Sequence, residues 1–179
     1  MLQIVLPENE LFNEKTGEFV TVKSRVIQLE HSLISISKWE SKWKKPFLLP
    51  NPKSTEESID YIKCMTVTQN VSELDYLSIN IEILNKVNAY IDDSMTATSI
   101  NRRSAGRGRE VVTSELIYFW MVHFGIPFEC QKWHLNRLLM LIQICDIKGA
   151  PQQKMSRQDI FAQNKALNAS RRQRLGSRG

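Results

Sequence analysis

Two apolar runs separated by a short segment with Gly and Pro constrain this chain more than any other feature. Residues 116–124 are apolar in eight of nine positions, and residues 133–145 are apolar along most of a helix. Gly125 and Pro127 lie between them, where Gly can end a helix in the left-handed conformation and Pro can begin the next segment. Each run is shorter than the roughly 20 residues that a membrane span needs. The pattern therefore predicts a buried helical hairpin, around which the other segments are organised.

The charged residues are unevenly distributed along the chain. The 179 residues include 24 Lys and Arg against 19 Asp and Glu, a formal net charge of +5. Residues 151–179 hold seven basic residues and one acidic residue, so this tail carries +6 and residues 1–150 carry −1. Such a tail either contacts nucleic acid or an acidic protein surface, or is a solvated terminal helix that keeps the chain soluble. We predict one globular domain over residues 1–150 and a basic tail over residues 151–179.

The first 30 residues are predicted to form a small β-hairpin. Residues 2–6 and 18–22 have the character of strands, and residues 13–17 have the composition of a polar turn. Residues 25–29 either extend the second strand or form a third.

Residues 31–147 are predicted to form a helical core on which this hairpin packs. Besides the two apolar runs, helices are expected at residues 32–43, at residues 55–66, and from about residue 78 or 80 to residue 92. The first of these also fits a strand, because Ile34 and Ile36 alternate with polar residues. Residues 94–110 contain almost no large apolar side chain, so we predict a mobile basic loop there. The expected fold is mainly α, of the α+β class, with a projecting basic C-terminal helix.

The tail has the composition of a helix. Residues 157–175 are mostly good helix formers, Gly176 is a natural stop, and Ser156 with Asp159 resembles a capping box. Its apolar side chains form only a thin stripe, which is too narrow to hold the helix in a main core. We therefore predict that this helix projects, docks loosely or waits for a partner.

The sequence carries no pattern that indicates an enzyme, a metal or a cofactor. His123 and His134 lie on the two helices of the predicted hairpin and could approach each other, but no further ligand falls at a metal-binding spacing around them. Cys130 and His134 are four residues apart, yet no nucleophile motif surrounds them. Gly106 and Gly108 belong to neither common nucleotide-binding loop. We therefore expect a non-enzymatic protein.

The three cysteines, Cys64, Cys130 and Cys145, include no close pair. An odd number of separated cysteines is typical of a reducing compartment. Residues 1–10 lack a basic leader and a long apolar core, so we expect no signal peptide. The sequence therefore predicts a cytoplasmic protein without a membrane segment.

Two groups of arginines could contact a phosphate backbone. They are Arg102, Arg103, Arg107 and Arg109 in the predicted loop, and Arg171, Arg172 and Arg174 in the tail. No aromatic residues are interleaved with these charges, and the second apolar helix is too apolar to lie in a DNA groove. Nucleic-acid binding is therefore the less favoured interpretation of the basic residues.

Four stretches of the sequence together carry a resemblance to a known family. They are LEHSLISISKWESKWKKPFL at residues 29–48, IDYIKCMT at residues 59–66, IPFECQKWHLNRLL at residues 126–139 and KMSRQDIFAQNKALNASRRQRLGSRG at residues 154–179. In this order they resemble tail assembly chaperones of tailed bacteriophages, of the siphophage kind. None of these strings is a catalytic signature.

The resemblance implies an assembly factor of virion morphogenesis that acts in the cytoplasm of the host bacterium. Such a chaperone is thought to coat the long helical tape measure protein, assist tail tube subunits in polymerising around it, and then leave the particle. Bare apolar stripes on a tape measure would aggregate, and a small protein with an amphipathic element can cover them reversibly. For this chain we expect the contact to be made by the tail helix, through Ile160, Phe161, Leu167, Arg171, Arg172 and Arg174. The alternatives are a structural component of the phage neck or tail and, less favoured, a nucleic-acid-binding module.

Overall fold

The computed structural model describes residues 1–13, 17–100, 111–149 and 157–176. In these ranges the elements are the strands β1 (Leu2–Leu6), β2 (Asn9–Asn13), β3 (Glu18–Val22) and β4 (Arg25–Leu29), followed by the helices α1 (Leu33–Trp43), α2 (Thr55–Met65), α3 (Ile81–Asp92), α4 (Ser114–His123), α5 (Leu135–Gly149) and α6 (Arg157–Leu175). Short 3₁₀ segments cover Asp75–Ser78 and Phe128–Lys132. The predicted class is confirmed: the fold is mainly helical with an N-terminal β-hairpin. The chain divides into two compact units, Met1–Asp146 and Ile147–Gly179.

The N-terminal strands form a longer hairpin than the one predicted from residues 2–6 and 18–22. β1 pairs with β4, and β2 pairs with β3, in one unbroken antiparallel register that runs from the pair Leu2 and Leu29 to the pair Asn13 and Glu18. The ladder is interrupted at Pro7, which has no N–H to donate. There the Ser24 hydroxyl donates to the Leu6 carbonyl at 3.0 Å. The pairing differs from the prediction because alternation within one strand does not specify its partner, and because the polar ends of β2 hide its strand character.

One face of this ribbon contributes to the core. Ile4, Leu6, Ile27 and Leu29 are buried, whereas Val5 points to solvent, as the twofold alternation of a strand requires. The other edge of β4 is covered by the chain that follows α2: the Val67 N–H donates to the Gln28 carbonyl at 2.9 Å, and the Glu30 N–H donates to the Met65 carbonyl at 2.9 Å. The end of α2 is thereby fixed beside β4.

Helix α1 occupies the centre of the first unit. The sequence had led us to expect the two apolar runs in that position. Helix α1 contacts α2, α4 and the segment Phe128–Lys132. Its buried side chains include Leu33, Ile36 and Trp39, and the Trp39 indole N–H donates to the Glu57 carbonyl of α2 at 3.0 Å. The start of α1 is capped by Ser32, as predicted. The first helical segment is therefore a helix and not the alternative strand.

The two apolar runs do not form a simple helical hairpin. After α4 the chain passes through the 3₁₀ segment Phe128–Lys132, and α5 begins only at Leu135. The reason is a main-chain contact: the Leu135 N–H donates to the His31 carbonyl at 2.7 Å. This bond holds the first turn of α5 at the junction between β4 and α1. Cys130 therefore lies in the 3₁₀ segment and Cys145 in α5.

Helix α4 is buried on one side only, which corrects the prediction that it is buried all round. Ser114, Ile117 and Met121 are buried, but Phe119 is 60% exposed and Val122 is 64% exposed. An apolar sequence shows that a helix needs cover, but it does not show how many faces the domain can cover. Here α1 covers one face.

Gly125 ends α4 in the predicted way. Its φ is +64°, the left-handed region that glycine adopts without a steric penalty. The Ile126 N–H donates back to the Met121 carbonyl at 2.8 Å, which is the long hydrogen bond of a Schellman motif. Gly176 follows α6 with a φ of +61°, so the predicted stop of that helix is confirmed as well.

No helix of the described residues is long and apolar enough to cross a membrane. Three predictions concern positions outside those residues: the mobile loop is described only for residues 94–100, the capping box needs Ser156, and the domain boundary was placed at Ala150. These three stay predictions.

Candidate functional site

Helix α6 presents the surface for which the sequence predicted a partner. Every described side chain from Phe161 to Gly176 is exposed. The large apolar ones, Phe161, Leu167 and Leu175, are 75%, 49% and 78% exposed, and their spacing places them on one side of the helix. The structure does not describe the side chain of Ile160. The surface is thus a narrow apolar stripe that a larger apolar surface could cover.

Arginines surround this stripe at its C-terminal end. Arg171 lies on the apolar side, one turn after Leu167, and Arg172 and Arg174 lie in the last turn of the helix. Cations in the last turn are favoured by the helix dipole. Their guanidinium groups are exposed, so they are available to carboxylates or phosphates. The loop arginines Arg102, Arg103, Arg107 and Arg109 all lie outside the described residues, so whether they join this surface stays a prediction.

The buried histidines form a structural cluster. The rings of His31 and His134 are 5.0 Å apart, and the His31 Nδ1 lies 2.5 Å from the Tyr61 hydroxyl oxygen. Burial, with a smaller contribution from His134, lowers the pKa of His31 to about 3. His31 is therefore neutral in the folded chain. The sequence had suggested that His134 approaches His123, but His123 instead contacts the rings of Phe119 and Phe124.

His134 is not available as a base for the Cys130 thiol. Its Nε2 lies 3.0 Å from the Tyr90 carbonyl oxygen, which can only accept, so Nε2 carries the proton. Its Nδ1 accepts from the Asn136 N–H at 3.3 Å. Both ring nitrogens are thus bonded to main-chain groups. This arrangement gives His134 a structural role, in which its ring joins α3 to the start of α5.

The three cysteines belong to no metal-binding cluster among the described residues. Among the described residues, no group of three or more His, Cys, Asp and Glu side chains is placed to hold a metal ion. Cys64, Cys130 and Cys145 are free thiols. Burial, followed by the nearby Asp60 carboxylate, raises the pKa of the Cys64 thiol. A thiol with a raised pKa is a poor nucleophile at neutral pH.

Buried carboxylates fasten α1 to its neighbours. The Glu40 carboxylate accepts from the Phe47 N–H at 2.7 Å and from the Ser114 N–H at 2.8 Å, and so positions the first turn of α4. Burial opposes ionisation of Asp60, but hydrogen bonds from Lys42 and Trp43 lower its pKa below the usual value. These contacts join α1 to α2 and α4. Both carboxylates are hydrogen-bonded within the fold.

A shallow groove lies between the ribbon and the loop before the segment Asp75–Ser78. It has a volume of about 270 Å³, and it is lined by Val20, Thr21, Val22, Lys23, Ser24, Arg25, Ser72, Leu74 and Asp75. The Arg25 guanidinium already donates to the carbonyls of Asn70 and Gln69 at 2.6 and 3.0 Å, and it pairs with Asp75 at 3.4 Å. The Arg25 guanidinium is therefore already bound by groups of the fold.

Two exposed apolar surfaces were not predicted from the sequence. The first is the outer face of α4, with Phe119 and Val122. The second is the far end of the ribbon, where Phe12 and Phe19 form a cross-strand aromatic pair with ring centroids 5.1 Å apart and are 56% and 70% exposed. The sequence signal for the pair in the ribbon was that Phe12 and Phe19 flank the predicted turn.

Comparison of the chain with protein-family models, with curated proteins and with solved structures finds no match. The resemblance to tail assembly chaperones therefore stays a prediction. Function is inferred below from the surfaces just described.

Proposed function

We propose that this chain is a non-enzymatic tail assembly chaperone of a tailed bacteriophage, which binds the tape measure protein through α6 and assists assembly of the tail tube. The observation that carries this proposal is the exposure of α6, from Phe161 to Leu175, together with its arginine-rich end. A helix without buried side chains in its described part contributes little to a core. It is suited instead to contact with another macromolecule.

The chemistry of α6 favours a helical partner with an apolar stripe and acidic flanks. Phe161, Leu167 and Leu175 would pack into such a stripe, and Arg171 and Arg172 would pair with carboxylates beside it. Full burial of one large apolar side chain contributes roughly 1.5–3 kcal/mol before the ordering cost of binding. Three such side chains give a weak contact that dissociates readily. That property suits a chaperone that leaves the finished particle.

The test is co-expression with the tape measure protein of the same phage. The full chain should keep that protein soluble, and a chain ending at Ala150 should not. If both keep it equally soluble, the role of α6 is wrong. If neither does, the chaperone function is wrong.

A pair of matched double variants separates the apolar stripe from the general properties of the helix. Phe161→Asp with Leu167→Asp places two carboxylates in the stripe, whereas Ala162→Asp with Ala169→Asp adds the same charge to the opposite side. The first pair should abolish co-purification of the tape measure protein, and the second should preserve it. Equal loss in both would indicate a charge effect and would contradict the proposed contact.

A structural component of the neck or tail is the main alternative, because such a protein could use the same helix permanently. Mass spectrometry of purified particles distinguishes the two. A chaperone is absent from the finished virion, and a structural component is present in a fixed copy number.

The exposed arginines of α6 also favour one further alternative, a nucleic-acid-binding module. Retention on DNA would then fall steeply between low and moderate salt and would disappear when residues 151–179 are deleted. If the retention of the full chain on DNA does not change with salt, this alternative is excluded.

A further inference from the structure

The outer face of α4 has the properties of an interface. It consists of Glu115, Leu116, Phe119, Val122 and His123, which the helical repeat places together on the side opposite the buried Ile117 and Met121. Phe119 and Val122 are more than half exposed, and Leu116 is partly exposed. The helix is rigidly placed, because Glu40 binds its first turn and the Gly125 motif ends it. A fixed, exposed apolar face is suited to contact with another protein.

The order of residues on this face makes it complementary to itself. Phe119 lies at the midpoint: Leu116 and Val122 are each three residues away, and Glu115 and His123 are each four residues away. If a second α4 packs antiparallel with Phe119 opposite Phe119, Leu116 meets Val122 and Glu115 meets His123 at both ends. An imidazole N–H can donate to a carboxylate whether or not the ring is charged.

Electrostatics favour the antiparallel arrangement. Two antiparallel helices place each N-terminus beside the C-terminus of the other, so their dipoles attract. The main-chain N–H of Glu115 itself, then the hydroxyls of Thr113 and Ser114 and the charge of Lys44, hold the pKa of Glu115 below its usual range. Glu115 is therefore an anion at neutral pH, at the end of the face that meets His123 of the second copy. A parallel arrangement would place like groups together and lacks this pairing.

We propose that the outer face of α4 is the interface of a homodimer with twofold symmetry, in which Glu115 of each copy pairs with His123 of the other. This surface is distinct from α6, so the dimer does not depend on the proposed chaperone function. The contact rests on one helix of 10 residues and is smaller than a standard interface, so the dimer dissociates in the micromolar range.

Sedimentation equilibrium of the full chain, from about 1 to about 300 µM, measures this association. The wild-type chain should pass from monomer to dimer across that range. Phe119→Asp should remain monomeric throughout. Phe19→Asp, the same change at an aromatic residue of the ribbon that is even more exposed, should dimerise like the wild type. A wild-type chain that stays monomeric, or a ribbon variant that loses the dimer, would overturn the proposal.

Charge exchange tests the antiparallel pairing itself. Glu115→Lys should weaken the dimer roughly tenfold, because it removes the carboxylate that accepts from the His123 N–H. His123→Glu should weaken it by a similar factor, because it places two carboxylates together at both ends of the interface. The double variant carries both changes and restores opposite charges, so its dissociation constant should return to within about threefold of the wild type. Circular dichroism confirms that each variant is folded. Additive weakening in the double variant would exclude this geometry.

A different occupant of the face would give a different result. If a second protein such as the tape measure covers α4, Phe119→Asp would abolish its co-purification while the chain stays monomeric at all concentrations. That result would overturn the dimer and would add α4 to the proposed contact with the tape measure protein. Conversely, a Phe161→Asp and Leu167→Asp variant that dimerises normally but no longer co-purifies with the tape measure protein would support both assignments.

Discussion

His31 lies where β4 passes into α1, and its ring is buried against His134 and Tyr61. The unfolded chain takes up a proton at this ring near the ordinary pKa of 6.5, whereas the folded chain does so only near pH 3. Neutral His31 therefore makes its full contribution to stability above about pH 6.5, and this contribution is lost as the pH falls. We expect the free energy of unfolding to decrease by about 2 kcal/mol between pH 6.5 and about pH 5.

Urea unfolding at a series of pH values measures this decrease. His31→Asn retains a polar group near Tyr61 but does not titrate, so its free energy of unfolding should vary much less over the same interval. A slope in the variant equal to that of the wild type would assign the pH dependence to other groups.

Glu40 gives a second prediction at the level of single residues. Its two carboxylate oxygens accept from two main-chain N–H groups, those of Phe47 and Ser114. In Glu40→Gln the amide can accept only one of these bonds, which leaves a buried N–H without a partner and costs about 1–3 kcal/mol. Urea unfolding should show this loss, while Glu10→Gln on the exposed side of β2 should change stability by less than about 0.5 kcal/mol.

These buried polar contacts could not be predicted from the sequence. Glu40 lies between Trp39 and Ser41 among several lysines, where a glutamate normally faces solvent. His31 and His134 are distant along the chain, and neither has neighbours that indicate the other. Local sequence patterns indicate which positions of an element are buried, but they do not indicate which residues far apart in the sequence come into contact.

At the scale of elements, Gly125 is the position most sensitive to a small change. Its positive φ is required by the end of α4, and an added Cβ would meet no atom within 4 Å. Gly125→Ala should therefore destabilise by about 1 kcal/mol through backbone strain alone. Thermal unfolding measures the effect. Gly149→Ala, at a helical glycine with equal space around it, should show no loss.

The helices were predicted more reliably than their environment. The bounds of α1, α2 and α3 followed from capping residues and from helical spacing, which are local signals. The partner of β1 and the exposure of α4 depend on the arrangement of other elements, which periodicity does not specify. In the candidate site, α6 and its arginines were identified from the sequence, while the outer face of α4 was hidden by its apolar composition.

At the scale of the whole molecule, the apolar core is built by the elements that precede α6. Among the described residues, the last ones that belong to it or pack against it are Ile142 and Cys145. A chain ending at Ala150 should therefore unfold cooperatively within about 3 °C of the full chain, with a smaller helical signal in circular dichroism. A chain ending at Asn136 lacks the buried Leu138 and Ile142, and each loss costs roughly 2–5 kcal/mol, so it should not fold. A large drop in melting temperature on ending at Ala150 would contradict this division.

The unbroken strand register across Pro7 determines where the chain tolerates extra length. Residues inserted between Asn13 and Glu18 would leave every strand pair in place, from Leu2 with Leu29 to Asn9 with Val22. One residue inserted beside Pro7 would instead exchange the two sides of β2 and bring Phe12 to the side where Leu11 now lies. The tip is thus the permissive site for a tag or a label, and the segment near Pro7 is the site that must keep its length.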